Sequence, residues 1–260
     1  MRVPGFRYTQ GKSRRAGCRP AGLEGPQKGP GSGAGLVHAL IACERPRSGA
    51  EYRHVSDTAP QPGSQDTLVR RAYAFAEAAH RGQRRKDDRA FIAHPVHVAR
   101  LLAARGYDEE VVAAALLHDV VEDTAVTLAE IREQFGARVA QLVECVTENP
   151  ELPTPERKRA YREGLRHSPD AARAICAADK VCNASDLHQA ASQGDEQVLA
   201  RFAGGLDAQV QRLSAELTML DESGTDRSLR DAMRAELGGL RTQARRRADT
   251  RRRPRPRRTY

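Results

Sequence analysis

The chain has no apolar run that approaches the roughly 18–20 residues a membrane-spanning helix needs, which excludes a span of that kind. The longest N-terminal candidate, Gly35–Cys43, is too short and contains His38. An early apolar stretch of the secretory type is also lacking. Cysteine is sparse: Cys18, Cys43, Cys145, Cys176 and Cys182 are odd in number and form no C-x-x-C pair. That argues against a disulfide framework or a zinc knuckle, and toward reduced thiols in a cytoplasmic protein. Period-two alternation and internal repeats are missing as well, which removes the β classes and the solenoids.

Charge is plentiful but unevenly placed. The 260 residues hold 43 Lys and Arg against 34 Asp and Glu, a formal +9. Residues 1–60 account for +6 and residues 241–260 for +9, whereas 61–240 carry −6. A folded nucleic-acid-binding domain carries its own basic face, and the middle of this chain is acidic overall. Residues 1–64 are rich in Gly, Pro, Ser and Arg, with few apolar residues at any fixed period, so disorder is predicted there. A start codon assigned too far upstream is the alternative. No Met lies between Met1 and Met219, so a later start would use a non-Met codon such as that of Val55 or Leu68.

From about Asp66 the apolar residues recur with helical period, and the class is all-α. Asp66 is read as the cap of a helix running to His80. A second helix has Pro95 in its first turn, where the missing N–H costs nothing, and stops at Gly106. A third covers Glu109 to about Val121 and is apolar on nearly every side, the mark of a central buried helix. Thr127-Leu-Ala-Glu130 is a capping box for a short helix ending before Gly136. Further helices are expected at about 137–147, 155–167, 170–192 (broken or bent in places), 195–221 and 225–247.

Three clusters carry chemistry. They are His94-Pro95, then Leu116-Leu-His118-Asp119-Val-Val-Glu122-Asp123-Thr124, then Ala178-Asp179-Lys180-Val-Cys-Asn183-Ala-Ser-Asp186. Glu122 lies over His118 and Asp123 over Asp119, since residues four apart share a helix face. Three carboxylates and an imidazole at the end of an apolar helix repel unless a cation joins them. Asp179 and Asn183 share a face in a segment that reads as buried. Singly, each has a plainer explanation: His94 as a capping-type residue, Asp179-Lys180 as a surface ion pair, Glu122-Asp123 as a solvated helix end. His80 and His97 read as surface or packing residues.

Taken together the clusters resemble the HD phosphohydrolase superfamily, whose ligand order is a first His, a His-Asp pair and a distant Asp. The fuller string is similar to the RelA/SpoT-type (p)ppGpp hydrolases, and Leu152-Pro-x-x-Glu156-Arg-Lys-Arg159 to their short, stand-alone branch. The similar stretches are His80-Arg-Gly-Gln-Arg-Arg85-Lys86, Phe91-Ile-Ala-His94-Pro95, Ala114 through Thr124, Leu128 through Gly136, Val143 to Thr147, and Ala177 through Asn183, within about residues 66–215. The resemblance implies an HD-domain bundle of about eight to ten helices over residues 65–222, a C-terminal helix at 223–243 and a disordered Arg-rich tail at 244–260. It implies one Mn²⁺ (other divalent cations being possible) held by His94, His118, Asp119 and Asp179, with Glu122 and Asp123 as the acid/base pair. Arg85, Lys86 and Asn183 are implied as nucleotide contacts.

The implied reaction removes the 3′-pyrophosphate of (p)ppGpp. A second reading keeps the enzyme but takes another nucleotide, such as NADPH. A third makes the helical body a binding module that docks RNA or ribosomes through the Arg-rich tail. The partner expected is a small-molecule nucleotide, with no membrane, with nucleic acid only through that tail, and with the oligomeric state unassigned. The family's small-Gly-x-Pro-Tyr-Ile segment reads Asp87-Asp88-Arg89-Ala90-Phe91-Ile92 here, which adds two acids near the path of a polyanion. Cys182 stands where His or Tyr is more usual. The synthetase half of the long relatives has no counterpart after residue 215. Mass spectrometry of the natively expressed protein decides between the two: a peptide from residues 1–50 is expected if the segment is a disordered part of the chain and would overturn the later start, whereas an N-terminus near residue 60 would establish that start.

Overall fold

The structure, a computed structural model, describes residues 67–252, with side chains up to Thr250. Among the described residues the protein is all-α, as the periodicity implies, with one isolated bridge between Arg84 and Ala90. Eleven helices occur among these residues, ten up to Glu222 and one beyond, within the expected number: α1 (Leu68–Ala79), α2 (Ala93–Ala103), α3 (Glu109–Leu117), α4 (Val120–Asp123), α5 (Leu128–Phe135), α6 (Ala137–Val146), α7 (Thr154–Arg166), α8 (Asp170–Gln193), α9 (Glu196–Ala200), α10 (Gly205–Glu222) and α11 (Arg227–Arg252). No helix among them is long and apolar enough to cross a membrane. Residues 1–66 and 253–260 lie outside the described residues, and with them the expectations for the N-terminal segment and the last part of the tail.

Local chemistry sets the ends of these helices. The first is capped by Thr67, not Asp66: the Thr67 Oγ1 accepts from the Arg70 amide at 3.3 Å. Asp108 does the same for α3 through the Val111 amide. Both reciprocal bonds of the Thr127–Glu130 capping box are present. The third helix stops at Leu117 instead of Val121, and a separate single turn, α4, follows. The segment expected at 195–221 splits into α9 and α10 because Gly204 and Gly205 both adopt left-handed backbone, at φ 77° and 71°. Conversely α8 runs unbroken for 24 residues, where a break or bend was expected, since its Ala-rich sequence gives no reason to stop before Gly194.

The core is one cluster. Helix α3 lies at its centre with Val111 to Leu117 all buried, packed by α1, α2 and α6, and α8 passes beside it. The boundary at 223 is a correction: α11 lies along α8 and buries Leu229, Met233, Leu237 and Leu240 in the same cluster. The tail boundary at 244 moves too, because α11 continues to Arg252. Arg is a good helix former, Arg247 pairs with Glu196, and Gln243 donates to Ser192 Oγ at 3.1 Å.

Gly239 is what lets α8 and α11 approach. A Cβ there would come within 2.2 Å of the His188 ring, whose Nδ1 is 2.8 Å from a Glu236 carboxylate oxygen. Gly239→Ala would gain about 1 kcal/mol of helix propensity. The clash is expected to outweigh it, with a net loss of about 1–3 kcal/mol in urea unfolding. In a His188→Ala background the same substitution is expected to be neutral or stabilising; an equal loss in both backgrounds would refute the contact.

A candidate metal centre and the basic face beside it

Four helices deliver the acidic and imidazole groups to one point. His94 lies in the first turn of α2, where the backbone of Phe91 accepts from the His94 amide at 3.1 Å. His118 and Asp119 fill the junction between α3 and α4, and Asp179 comes from the middle of α8. The two imidazoles are buried, with ring centroids 5.4 Å apart. His94 Nε2 is 3.0 Å from Asp179 Oδ1 and 3.8 Å from Asp119 Oδ2. His118 Nε2 is 3.0 Å from Asp119 Oδ1 and 3.9 Å from Asp179 Oδ1. One ligand atom each from His94, His118 and Asp179 lie within 4.8 Å of one another, a spacing that suits one divalent cation.

The hydrogen bonding fits that use. His118 Nδ1 is 2.9 Å from the Ala115 carbonyl, so Nδ1 carries the hydrogen and Nε2 presents a lone pair. That Nε2 is buried without a hydrogen-bond partner. A bare nitrogen facing two carboxylates is a repulsive arrangement until a metal or a proton enters it. Lys180 Nζ holds Asp179 Oδ2 at 2.7 Å, and Asn183 Nδ2 donates to Oδ1. The Asp179–Lys180 pair therefore exists, but it is largely buried rather than on the surface.

The electrostatics say the same. Burial opposes charging His118, yet the carboxylates of Asp119 and Asp179 outweigh it and raise the imidazole to about 9. Burial also opposes the charge on Asp179, but Lys180 and the two imidazoles hold its carboxyl well below the usual range. Burial lifts Glu122 to about 7, with the neighbouring Asp119 adding to it and the Glu148 amide, which donates to its carboxylate, pulling the other way. Asp123 is raised as well, by burial and then by Asp119. The helix break at 118–119 puts Glu122 and Asp123 on a turn of their own, not on a continuous helix above His118 and Asp119.

A basic loop borders the centre. Arg84 and Ala90 bridge, and the Arg85 amide donates to the Arg89 carbonyl at 2.9 Å, making residues 84–90 a small hairpin. Arg85 reaches Asn183 Oδ1 at 3.0 Å and Asp186 Oδ2 at 3.2 Å, so two of the three expected nucleotide contacts meet. Lys86 goes elsewhere: its Nζ sits 4.1 Å from the Phe202 ring. The two added acids are both neutralised. Arg89 takes Asp87 at 2.6 Å and Asp186 at 2.7 Å, and Arg201 takes Asp88 at 2.9 Å. Asp88 adopts φ 64° where the similar segment has Gly, a conformation short polar side chains tolerate.

Sequence reasoning gave no role to Asp186, Arg89 or Arg201, and read Lys180 only as a surface ion-pair partner of Asp179. Asp186 was findable, seven residues after Asp179 and three after Asn183 on the same helix face. Arg201 left no signal, because its contact with the loop spans more than a hundred residues. His80, read as surface or packing, is buried and stacked on Phe91 with ring centroids 4.3 Å apart.

The HD-domain family model matches residues 72–207, just over half of the chain. Human guanosine-3′,5′-bis(diphosphate) 3′-pyrophosphohydrolase MESH1 is 44% identical over 136 residues, which span 51% of this chain and 76% of the human protein. The bifunctional (p)ppGpp synthase/hydrolase SpoT of Escherichia coli K12 is 43% identical over 105 residues, 40% of this chain and 15% of that protein. Among solved structures, a metazoan orthologue of SpoT described as hydrolysing ppGpp aligns with a TM-score of 0.56 at 30% identity, over 72% of this chain and 98% of that one.

Because a cation and a proton compete for His118 Nε2, divalent-metal affinity is expected to rise by about tenfold per pH unit below about pH 9, one proton being displaced per ion. The metal-free protein is expected to show the opposite trend. Raised groups stabilise the fold most below their unfolded values, so stability falls as pH climbs through about 7 for Glu122 and about 9 for His118. Calorimetric titration with Mn²⁺ and thermal melts with chelator, each from pH 6 to 9, check both; a pH-independent affinity would rule out His118 as a ligand.

Proposed function

The chain belongs to the HD-domain family, in the branch that holds MESH1 and the SpoT-type hydrolases, and from that membership we propose that it is a metal-dependent hydrolase of (p)ppGpp. The reaction adds water to the 3′-pyrophosphate ester and releases GDP or GTP and pyrophosphate. The observation that carries the reading is the convergence of His94, His118, Asp119 and Asp179 beside an acidic turn and a basic loop, within a segment 44% identical to the human enzyme.

His94, His118, Asp119 and Asp179 would hold a divalent cation with two imidazole nitrogens and two carboxylates, a set that suits Mn²⁺, the ion we propose. A divalent ion in such a set lowers the pKa of a water and polarises a phosphoryl oxygen. The remaining roles fall to the chain. Glu122, poised near neutrality by burial, takes the proton of the attacking water. Asp123, also raised, supplies a proton on the leaving-group side. Arg85, held by Asn183 and Asp186, presents a guanidinium to the nucleotide, by stacking on the purine or pairing with phosphate. Asn183 orients both Arg85 and Asp179, linking the nucleotide contact to the metal ligand. With Asp87 and Asp88 paired to Arg89 and Arg201, the loop offers no free carboxylate to repel the substrate.

Purified protein with Mn²⁺ is expected to release pyrophosphate from ppGpp and pppGpp in a panel that also holds NADPH and simple nucleotides. Asp119→Ala or Asp179→Ala is expected to abolish turnover, whereas Arg85→Ala mainly raises KM. Turnover of NADPH alone would move the substrate assignment, and no turnover of any member would refute the enzymatic reading.

A further inference from the structure

Beside the candidate metal centre lies a buried polar group with no task assigned to it so far. The His80 ring, 3% exposed at the end of α1, sits behind the basic loop. Its Nδ1 is 2.9 Å from Gln83 Oε1, and the Gln83 Nε2 donates to the carbonyl of Asp123 at 2.8 Å. These two contacts determine the hydrogens. The Asp123 carbonyl accepts only, so Gln83 turns its NH₂ toward that carbonyl and its oxygen toward His80. His80 must then carry its hydrogen on Nδ1, which leaves Nε2 as the buried nitrogen without a partner.

What Gln83 joins matters more than the bonds themselves. Asp123 ends α4, a single turn, and its carbonyl is among those a helix leaves without an internal partner. That turn carries Glu122 and Asp123 and begins at Asp119. On the other side, the Gln83 carbonyl accepts the Phe91 amide at 3.1 Å, closing the hairpin that carries Arg85. Phe91 in turn stacks on His80 and caps the turn leading to His94. One side-chain amide therefore ties the acidic turn to the basic loop and to the approach of the first imidazole, across 40 residues of sequence.

We propose that Gln83 is a positioning residue that sets the acidic turn in register with the basic loop, and that His80 fixes the orientation of its amide. The inference rests on the hydrolase reading for its kinetic consequence. Its structural consequence, a tethered turn at 119–124, stands apart from turnover.

The test uses the full chain. Gln83→Leu removes the tether but leaves the His80 donor unpaired, so the double variant His80→Phe/Gln83→Leu is made beside it, replacing both partners by apolar groups. In both, hydrogen exchange is expected to accelerate in residues 119–124 while the rest of the core keeps its protection. With Mn²⁺ and ppGpp, kcat is expected to fall by roughly 10- to 100-fold, the scale of a misplaced reacting group, with KM within about twofold of the parent. Unchanged exchange at 119–124 would overturn the tether, and unchanged kcat with faster exchange would overturn the positioning role. A raised KM at constant kcat would make Gln83 a substrate contact instead, and protection lost throughout the core would make it a packing residue. If the parent protein turns over no ppGpp, the hydrolase reading fails and the exchange measurement still decides the tether.

Discussion

Two carboxylates, Asp179 buried and Asp119 partly so, face two buried imidazoles at the end of an apolar helix, and the rest of the structure is arranged around that cluster. Asp119 and Asp179 lie 3.0–3.9 Å from the Nε2 atoms of His94 and His118, and the bare Nε2 of His118 among them leaves room for one positive charge. Removing the partner of a buried charge costs several kcal/mol. Lys180 answers for one oxygen of Asp179 and does not reach the other. The fold therefore favours positive charge at this point, and a proton on His118, favoured by Asp119 and Asp179 against the cost of burial, is what a metal ion would displace. Everything that orients these groups serves the same demand: the Ala115 carbonyl sets the His118 tautomer, and Asn183 steadies Asp179.

Small side chains line both elements that carry ligands: Ala113, Ala114 and Ala115 in α3 and Ala174, Ala177 and Ala178 in α8 are fully buried in the one core cluster. The helix break after Leu117 does a second job. It turns Glu122 and Asp123 out of the apolar core, where a continuous helix would have held them in line with it. A separate turn has few backbone bonds of its own, and it is held instead by side chains: Thr124 Oγ1 on the Val120 carbonyl at 2.6 Å, Gln83 on Asp123, and the Glu148 amide on Glu122.

The sequence exposed what repeats along one element and concealed what joins two. Helical class, the buried α3 and the Thr127–Glu130 box followed from spacing alone, because period and capping are local. The ligand set and the acidic pair came from motif order, a resemblance that periodicity could not have supplied. The break at 118–119 was missed because Val120 and Val121 continue the apolar pattern. The split at Gly204-Gly205 was missed although the glycines were in view. Arg201 reaching the 86–88 tip, and α11 joining the core it was thought to follow, are long-range contacts that leave no trace in a single chain.

Charge shows the same division at a larger scale. The formal +9 belongs to the ends, and the middle of the chain carries −6, so the net value says little about the site. At physiological ionic strength a surface charge is screened over about 8 Å, so a cation acts on what it touches. In the basic loop that principle runs both ways. Asp87 and Asp88 would set an anionic barrier if they stood alone, but each is engaged by an arginine within 3 Å. Arg89 does more than neutralise its neighbour: it shares Asp186 with Arg85, and so helps fix the position of the guanidinium expected to meet the nucleotide. In this loop the two acids thus serve as anchors, with ion pairs tying its tip to Asp186 on α8 and to Arg201.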